Sequence, residues 1–280
     1  MKKKTKWLRW LNIILVVYLA GALVIYFFQD YLLFHPQRMA MREKYEFKEP
    51  HKEVNVAVNG ENNINIVQFM TKDSLPKGVV LYFHGNRKNI GWYAKYANNF
   101  TANGYEVWMI DYPGFGKSTG TITEKKLYED ALQLYIMARS YYAPNQIIIY
   151  GKSMGTGVAA WLASKKSAKA LILETPYYSM TSLAQHYLPV YPVRSLLKYK
   201  LPTHTYISLV NAPVFIFHGT ADRVIPYSNA LRLSEVLHAK DQFITIEKGE
   251  HNNLNDFRQF HHALDSILQN SKKEPLRENG

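Results

Sequence analysis

The 280-residue chain contains no cysteine. Disulfides, thiolate metal ligands, a thiol nucleophile and a lipidated N-terminal cysteine are therefore excluded. No histidines fall at H-x-x-x-H or H-E-x-x-H spacing, so no metal site is implied. No G-x-G-x-x-G follows the first strand run. The one stretch that invites a phosphate-loop reading, Gly114-Phe115-Gly116-Lys117-Ser118, has Asp111 where the first glycine of that loop belongs. No cofactor is expected on these grounds. Acidic residues are scarce, 22 against 34 Lys and Arg, for a formal charge of +12. Lys2, Lys3, Lys4, Lys6 and Arg9 supply five of those charges before the first acid, Asp30. No basic stripe interleaved with aromatics stands out in the remainder, so a nucleic-acid partner is not expected.

What is present first is an apolar run. Leu11 to Phe28 contains one clearly polar residue, Asn12, and lies near the lower limit for spanning a bilayer, roughly 17–25 residues. Trp7, Trp10, Tyr18, Tyr26 and Phe27 include aromatics at both ends, as interface belts do. The five preceding cations favour a cytoplasmic N-terminus, which would put the rest of the chain on the far side of the membrane. Ala20-Gly21-Ala22 has the small-x-small form of a signal-peptide cleavage site. Cleavage there would expose Leu23 to Phe28 at the new terminus, so a retained anchor over residues 1–30 is expected.

Eight strand runs follow: Val54–Val58, Ile64–Met70, Val79–Phe83, Glu106–Ile110, Ile147–Tyr150, Ala170–Leu173, Val214–Phe217 and Phe243–Ile246. Helical patterns at Ile90–Ala102, Glu124–Ala138, Met154–Ala163, Asn229–Leu237 and Leu254–Leu268 alternate with the later strands. That order predicts an α/β fold over 31–270, a mostly parallel eight-stranded sheet covered on both faces. Pro176 to Ile207 breaks the alternation and reads as a small lid. It carries six tyrosines with Met180, Leu183 and Leu188, which either line an acyl pocket or pack the lid onto the core. The charged stretch 271–280 reads as a flexible tail.

Gly151-Lys152-Ser153-Met154-Gly155 sits between a strand run and a helical one. A serine on a sharp strand-to-helix turn is a nucleophile elbow, and its flanking residues must be small. Serine needs a base, and the base needs an orienting acid. Asp222 lies just past the seventh strand run and His251 just past the eighth, in the chain order such a turn requires. Glu174, ending the sixth run, is the reserve acid. The oxyanion donors are expected from the backbone N–H groups of Met154 and Asn86, the latter after His84-Gly85 at the end of the third run. His84 and His218, each before a glycine at a strand end, read as structural.

These segments resemble those of the α/β-hydrolase-domain serine hydrolases, in particular a membrane-anchored branch allied to serine-aminopeptidase-like and monoacylglycerol-lipase-like hydrolases. Phe34-His35-Pro36, Asp111 to Ser118 and Gly219-Thr220-Ala221-Asp222 add to the match, which runs from about Tyr31 to the last helix. The resemblance implies Ser153 as nucleophile, Asp222 as acid, His251 as base and N–H donors at Asn86 and Met154. In one departure, Asn253 stands where the family often has Asp. The expected activity is cleavage of an acyl ester, thioester or lipid ester. Acyl transfer or peptide cleavage by the same residues, or a non-catalytic scaffold, are the alternatives.

Overall fold

The computed structural model describes residues 2–58 and 62–269. The tail expected over 271–280 lies outside them. All eight strand runs form strands: β1 (His51–Ala57), β2 (Asn63–Phe69), β3 (Gly78–Phe83), β4 (Tyr105–Ile110), β5 (Ile147–Lys152), β6 (Ala170–Glu174), β7 (Val214–Gly219) and β8 (Gln242–Ile246). They make one eight-stranded sheet in the order β8-β7-β6-β5-β3-β4-β2-β1. β2 pairs antiparallel with both β1 and β4, and the remaining pairs are parallel.

Parallel strands need coverage on both faces, which is why the central runs are apolar throughout. Val79, Leu81 and Phe83 pack with Ile147 and Ile149 on one face. Val80 and Tyr82 pack with Ile148 and Tyr150 on the other. Two helices cover the first face. α2 (Glu124–Arg139) starts where the Thr123 side chain caps Lys126 N–H, and it turns Leu127, Ala131, Leu134 and Ala138 inward. α3 (Gly155–Lys165) buries Val158, Ala159 and Leu162. The opposite face is covered by Phe100 and by a last helix, α5 (Arg258–Gln269), through Phe260, Leu264 and Leu268.

Three expected helices are interrupted. Ile90–Ala102 resolves into Ile90–Tyr93, a 3₁₀ turn at Ala94–Tyr96 and Asn98–Thr101. Gly91 and the asparagines are weak helix formers, and burial of Tyr93, Tyr96 and Phe100 decides the local path. Asn229–Leu237 becomes a helix at Tyr227–Leu231 followed by 3₁₀ at Arg232–Val236. Leu254–Leu268 breaks at Phe257, which is extended. Between β6 and β7 the lid carries α4 (Met180–Tyr187), capped by the Ser179 side chain on Ser182 N–H, and short helices at Val193–Leu196 and Thr203–Ile207.

The N-terminal helix, α1 (Lys2–Leu33), contains a stretch, Lys6–Leu33, long and apolar enough to cross a membrane. It leads without a break into the globular part. His35–Pro36 pairs in parallel with Arg87–Lys88, and Phe34 and Tyr45 are buried in the core.

The register β5–β6 sets Lys152 beside Glu174 at the carboxyl edge of the sheet. Both are about 1% exposed and form an ion pair, and the Tyr150 hydroxyl donates to the same carboxylate. Burial and the Glu174 charge raise the Tyr150 pKa, so the phenol stays the donor. Removing one member of a buried pair strands the other charge. Lys152→Met is expected to lower the unfolding free energy by about 3–5 kcal/mol. The double change Lys152→Met, Glu174→Leu should recover part of that loss in urea titrations.

Candidate active site

At the end of β5 the backbone must reverse within three residues. Ser153 takes φ 52°, a left-handed conformation that costs a non-glycine residue roughly 1–2 kcal/mol. Two backbone bonds hold it there. Ser153 N–H donates to Glu174 C=O at 2.9 Å, and Thr156 N–H donates to Ser153 C=O at 3.0 Å. The flanking glycines serve close approach. A Cβ on Gly151 would lie 2.6 Å from the Gly155 carbonyl oxygen, and one on Gly155 would lie 2.1 Å from that of Phe83.

The turn aims the Ser153 hydroxyl at the loop after β8. Ser153 Oγ lies 2.9 Å from His251 Nε2, and His251 Nδ1 lies 2.8 Å from Asp222 Oδ2. Ionised Asp222 can only accept, so it fixes the imidazole proton on Nδ1 and leaves Nε2 to accept from the serine. The other Asp222 oxygen accepts from Val224 and Ile225 N–H, both at 2.8 Å. Burial alone would raise the Asp222 pKa. The His251 hydrogen bond and charge, the Ile225 N–H and His218 outweigh it, and the net shift is downward. The three residues predicted from strand ends are thus brought into one hydrogen-bonded chain.

Glu174 is not part of that chain. Its carboxylate is engaged by Lys152 and Tyr150, with Asn255 Nδ2 at 3.3 Å, which corrects its standing as reserve acid. Lys152 Nζ also reaches the His251 carbonyl at 3.5 Å. This network under the serine escaped sequence reading. Its one visible signal is a lysine ending an otherwise apolar strand.

The loop after β3 passes directly over the turn. A Cβ on Gly85 would lie 3.5 Å from Ser153 Cβ, an ordinary contact, and 2.6 Å from the Tyr93 hydroxyl, which is the approach the glycine permits. Asn86, next in the chain, is tied to the segment after α1. Its carbonyl accepts from His35 N–H at 2.9 Å, and its side-chain amide donates to the Leu33 carbonyl. Met154 stands at the N-cap of α3, where N–H groups and the helix dipole favour negative charge. His84 is fully buried. Its Nδ1 lies 2.7 Å from Gly85 C=O and its Nε2 3.2 Å from Asp111, which also accepts from Ile90 N–H and the Tyr45 hydroxyl. His218 Nε2 donates to Ile225 C=O at 2.9 Å, and burial lowers its pKa against the pull of Asp222. Both histidines brace loops. Asn253 Oδ1 accepts from Glu250 N–H at 2.7 Å and shapes the His251 turn.

A cavity of about 320 Å³ opens at His251, lined by Ala221, Arg223, Val224, Glu250, Asn252 and Asn253. The segment 176–207 touches this side. The Tyr187 hydroxyl lies 3.0 Å from both the Arg223 and Val224 carbonyls, and Leu183 packs against the core. Among the described residues no cluster of His, Asp and Glu could hold a metal ion.

The family model described as serine aminopeptidase, S33, matches residues 74–205. Human alpha/beta hydrolase domain-containing protein 17B is 31% identical over 200 residues, covering 69% of this chain and 66% of the relative. Protein 17C of Xenopus tropicalis is also 31% identical, covering 68% and 61%. The chain thus spans just under two thirds of these relatives' length. An esterase of Pyrococcus furiosus superposes with TM-score 0.64 at 16% identity, covering 86% of this chain and 98% of the esterase. Est1E of Butyrivibrio proteoclasticus, solved with ferulic acid bound, gives 0.64 at 18%, covering 78% and 98%. The strand order, the serine on its tight turn and these relatives agree: the chain belongs to the α/β-hydrolase serine hydrolases.

Proposed function

We propose that this protein cleaves an acyl ester, thioester or lipid ester through an acyl-enzyme on Ser153. The observation that carries the reading is the hydrogen-bonded chain from Ser153 through His251 to Asp222. Ser153 Oγ attacks the acyl carbonyl while His251 Nε2 takes its proton. Asp222 holds the imidazole and stabilises the imidazolium. The tetrahedral oxyanion sits against the N–H groups of Asn86 and Met154. Collapse breaks the bond to the leaving group, which receives the proton from His251. Water, deprotonated by the same nitrogen, then releases the acid and restores the serine.

The substrate class follows from what surrounds the chain of three. The apolar lid and the adjoining apolar helix suit an acyl chain better than a peptide. In this reading residues 1–30 are an anchor with its basic end cytoplasmic, 31–270 are the catalytic domain on the opposite side of the membrane, and 176–207 form a lid that lines the acyl pocket.

Fluorophosphonate labelling of the full chain tests the nucleophile. Wild type is expected to label and Ser153→Ala to lose both labelling and esterase activity; a labelled Ser153→Ala protein would sink the assignment. Asp222→Asn should keep the fold and lower kcat roughly 10⁴-fold, the size of effect seen when an orienting acid loses its charge. Acid should destabilise the protein in two stages. The buried His218 has a folded pKa below its unfolded value of about 6.5, so the unfolded state binds more protons and stability falls as pH drops below that value. Asp222, with its pKa depressed, adds a further loss as pH falls below about 3.9. His218→Gln should flatten the first stage in urea titrations across that range, and an unchanged slope would refute the assignment.

A further inference from the structure

We propose that the lid tip, Leu188 to Pro192, docks into the apolar zone of an anionic lipid bilayer alongside α1. This deepens the reading of α1 as a membrane anchor and rests on it.

The lid is fixed along the helix by specific contacts. The Tyr18 ring stacks on Tyr191 at 4.9 Å with 5° between planes, and the Tyr18 hydroxyl donates to the Val190 carbonyl at 3.1 Å. A Cβ on Gly21 would lie 2.0 Å from the Tyr191 hydroxyl, so this tyrosine rests on bare helix backbone. Further down, Gln29 is 2% exposed. Its amide donates to the Leu196 carbonyl at 3.1 Å and accepts from Lys198 N–H at 2.7 Å. The lid segment 190–198 therefore runs beside helix residues 18–29. Tyr18 lies in the middle of the apolar run Leu11–Phe28, about 22 Å along the axis from Leu33. A bilayer that encloses the apolar run also encloses the lid tip.

Irregular backbone survives in hydrocarbon only when its polar groups are satisfied internally. The lid tip meets that demand at every group but one, the Val190 N–H. Leu188 C=O accepts from Tyr191 N–H, Tyr191 C=O from Val193 N–H, and Pro192 C=O from Ser195 N–H. Pro189 C=O accepts from the Gln185 amide and Val190 C=O from Tyr18. Positions 189 and 192, as prolines, have no N–H to satisfy. In water such thorough pairing is unnecessary. The outward side chains agree: Val190 is 70% exposed and Tyr187 51%, with Pro189 and Pro192 also exposed and no formally charged residue between Tyr187 and Val193.

Charge completes the match. From Thr175 to Ala221 the chain has no Asp or Glu. Arg194, Lys198 and Lys200 are exposed on the lid, Lys198 with Asp30 of α1 at 3.5 Å, and they meet the headgroup layer around an immersed tip. Anionic headgroups attract such cations within a Debye length. Because Tyr187 also bonds the loop carrying Asp222, the tip sits next to the site, and an acyl chain could pass from lipid to Ser153 without crossing water.

The absence of cysteine makes the test clean. Single cysteines replacing Val190, Leu15 and Tyr141 in the full chain would each carry an environment-sensitive fluorophore. The proteins would be reconstituted in phosphatidylcholine vesicles with and without phosphatidylglycerol. Doxyl-labelled lipid quenches probes in the bilayer, and iodide quenches probes in water. Docking predicts that V190C behaves like L15C, blue-shifted, quenched by doxyl lipid and shielded from iodide, while Y141C is open to iodide. If L15C is lipid-quenched and V190C is iodide-accessible, α1 is an anchor but the lid does not dock. If neither responds to doxyl lipid, the anchor reading fails and the docking with it. Phosphatidylglycerol should deepen lipid quenching at V190C, and R194Q/K198Q/K200Q should remove that gain; an equal gain in both would overturn the anionic preference.

Discussion

The site depends on one strained turn. Ser153 occupies a backbone region that L-residues avoid, and it remains there because its surroundings leave no alternative. Its N–H is taken by the end of β6. Its flanking glycines are pressed against each other and against the end of β3. Beneath it, Lys152 and Glu174 lock the two strand ends together and extend a contact to the His251 carbonyl. The serine, the loop beneath the imidazole and the strand register are therefore one mechanical unit. Relaxing φ at residue 153 would disturb the bond from Ser153 N–H to Glu174 C=O at the β5–β6 edge.

A second consequence concerns division of labour among the charged groups. Asp222 and Glu174 end adjacent strands, both buried, both carboxylates. Asp222 accepts from two backbone N–H groups and pairs with an imidazole. Glu174 is matched by an ammonium. The first arrangement leaves charge available to stabilise an imidazolium; the second leaves little. In the mechanism proposed above, the Lys152 neighbour of Glu174 is what leaves Asp222 to orient His251.

Much of this was legible in the residues. Interior strands read as apolar runs, so all eight are legible to within three residues at either end. Ser153, Asp222 and His251 were singled out because each follows a strand, and strand ends gather at one edge. What stayed hidden is what depends on pairing across the chain. Lys152 and Glu174 are 22 residues apart in sequence, and nothing local announces that the sheet register joins them. The helix expected over Ile90–Ala102 broke because aromatic burial outweighed periodicity. His35–Pro36 is too short to show as a strand. Tyr18 and Gln29 look like an ordinary belt aromatic and a stray polar residue until the lid backbone is seen against them.

The junction between α1 and the globular part has a mechanical meaning. Immediately after Leu33 the chain pairs with Arg87–Lys88, and Asn86 bonds both Leu33 and His35. Any pull along α1 is thus delivered both to the loop that crosses Ser153 and, through Phe34, to the hydrophobic core. The helix and the loop after β3 share one load path, so tension on the helix would be felt beside Ser153 as well as in the core.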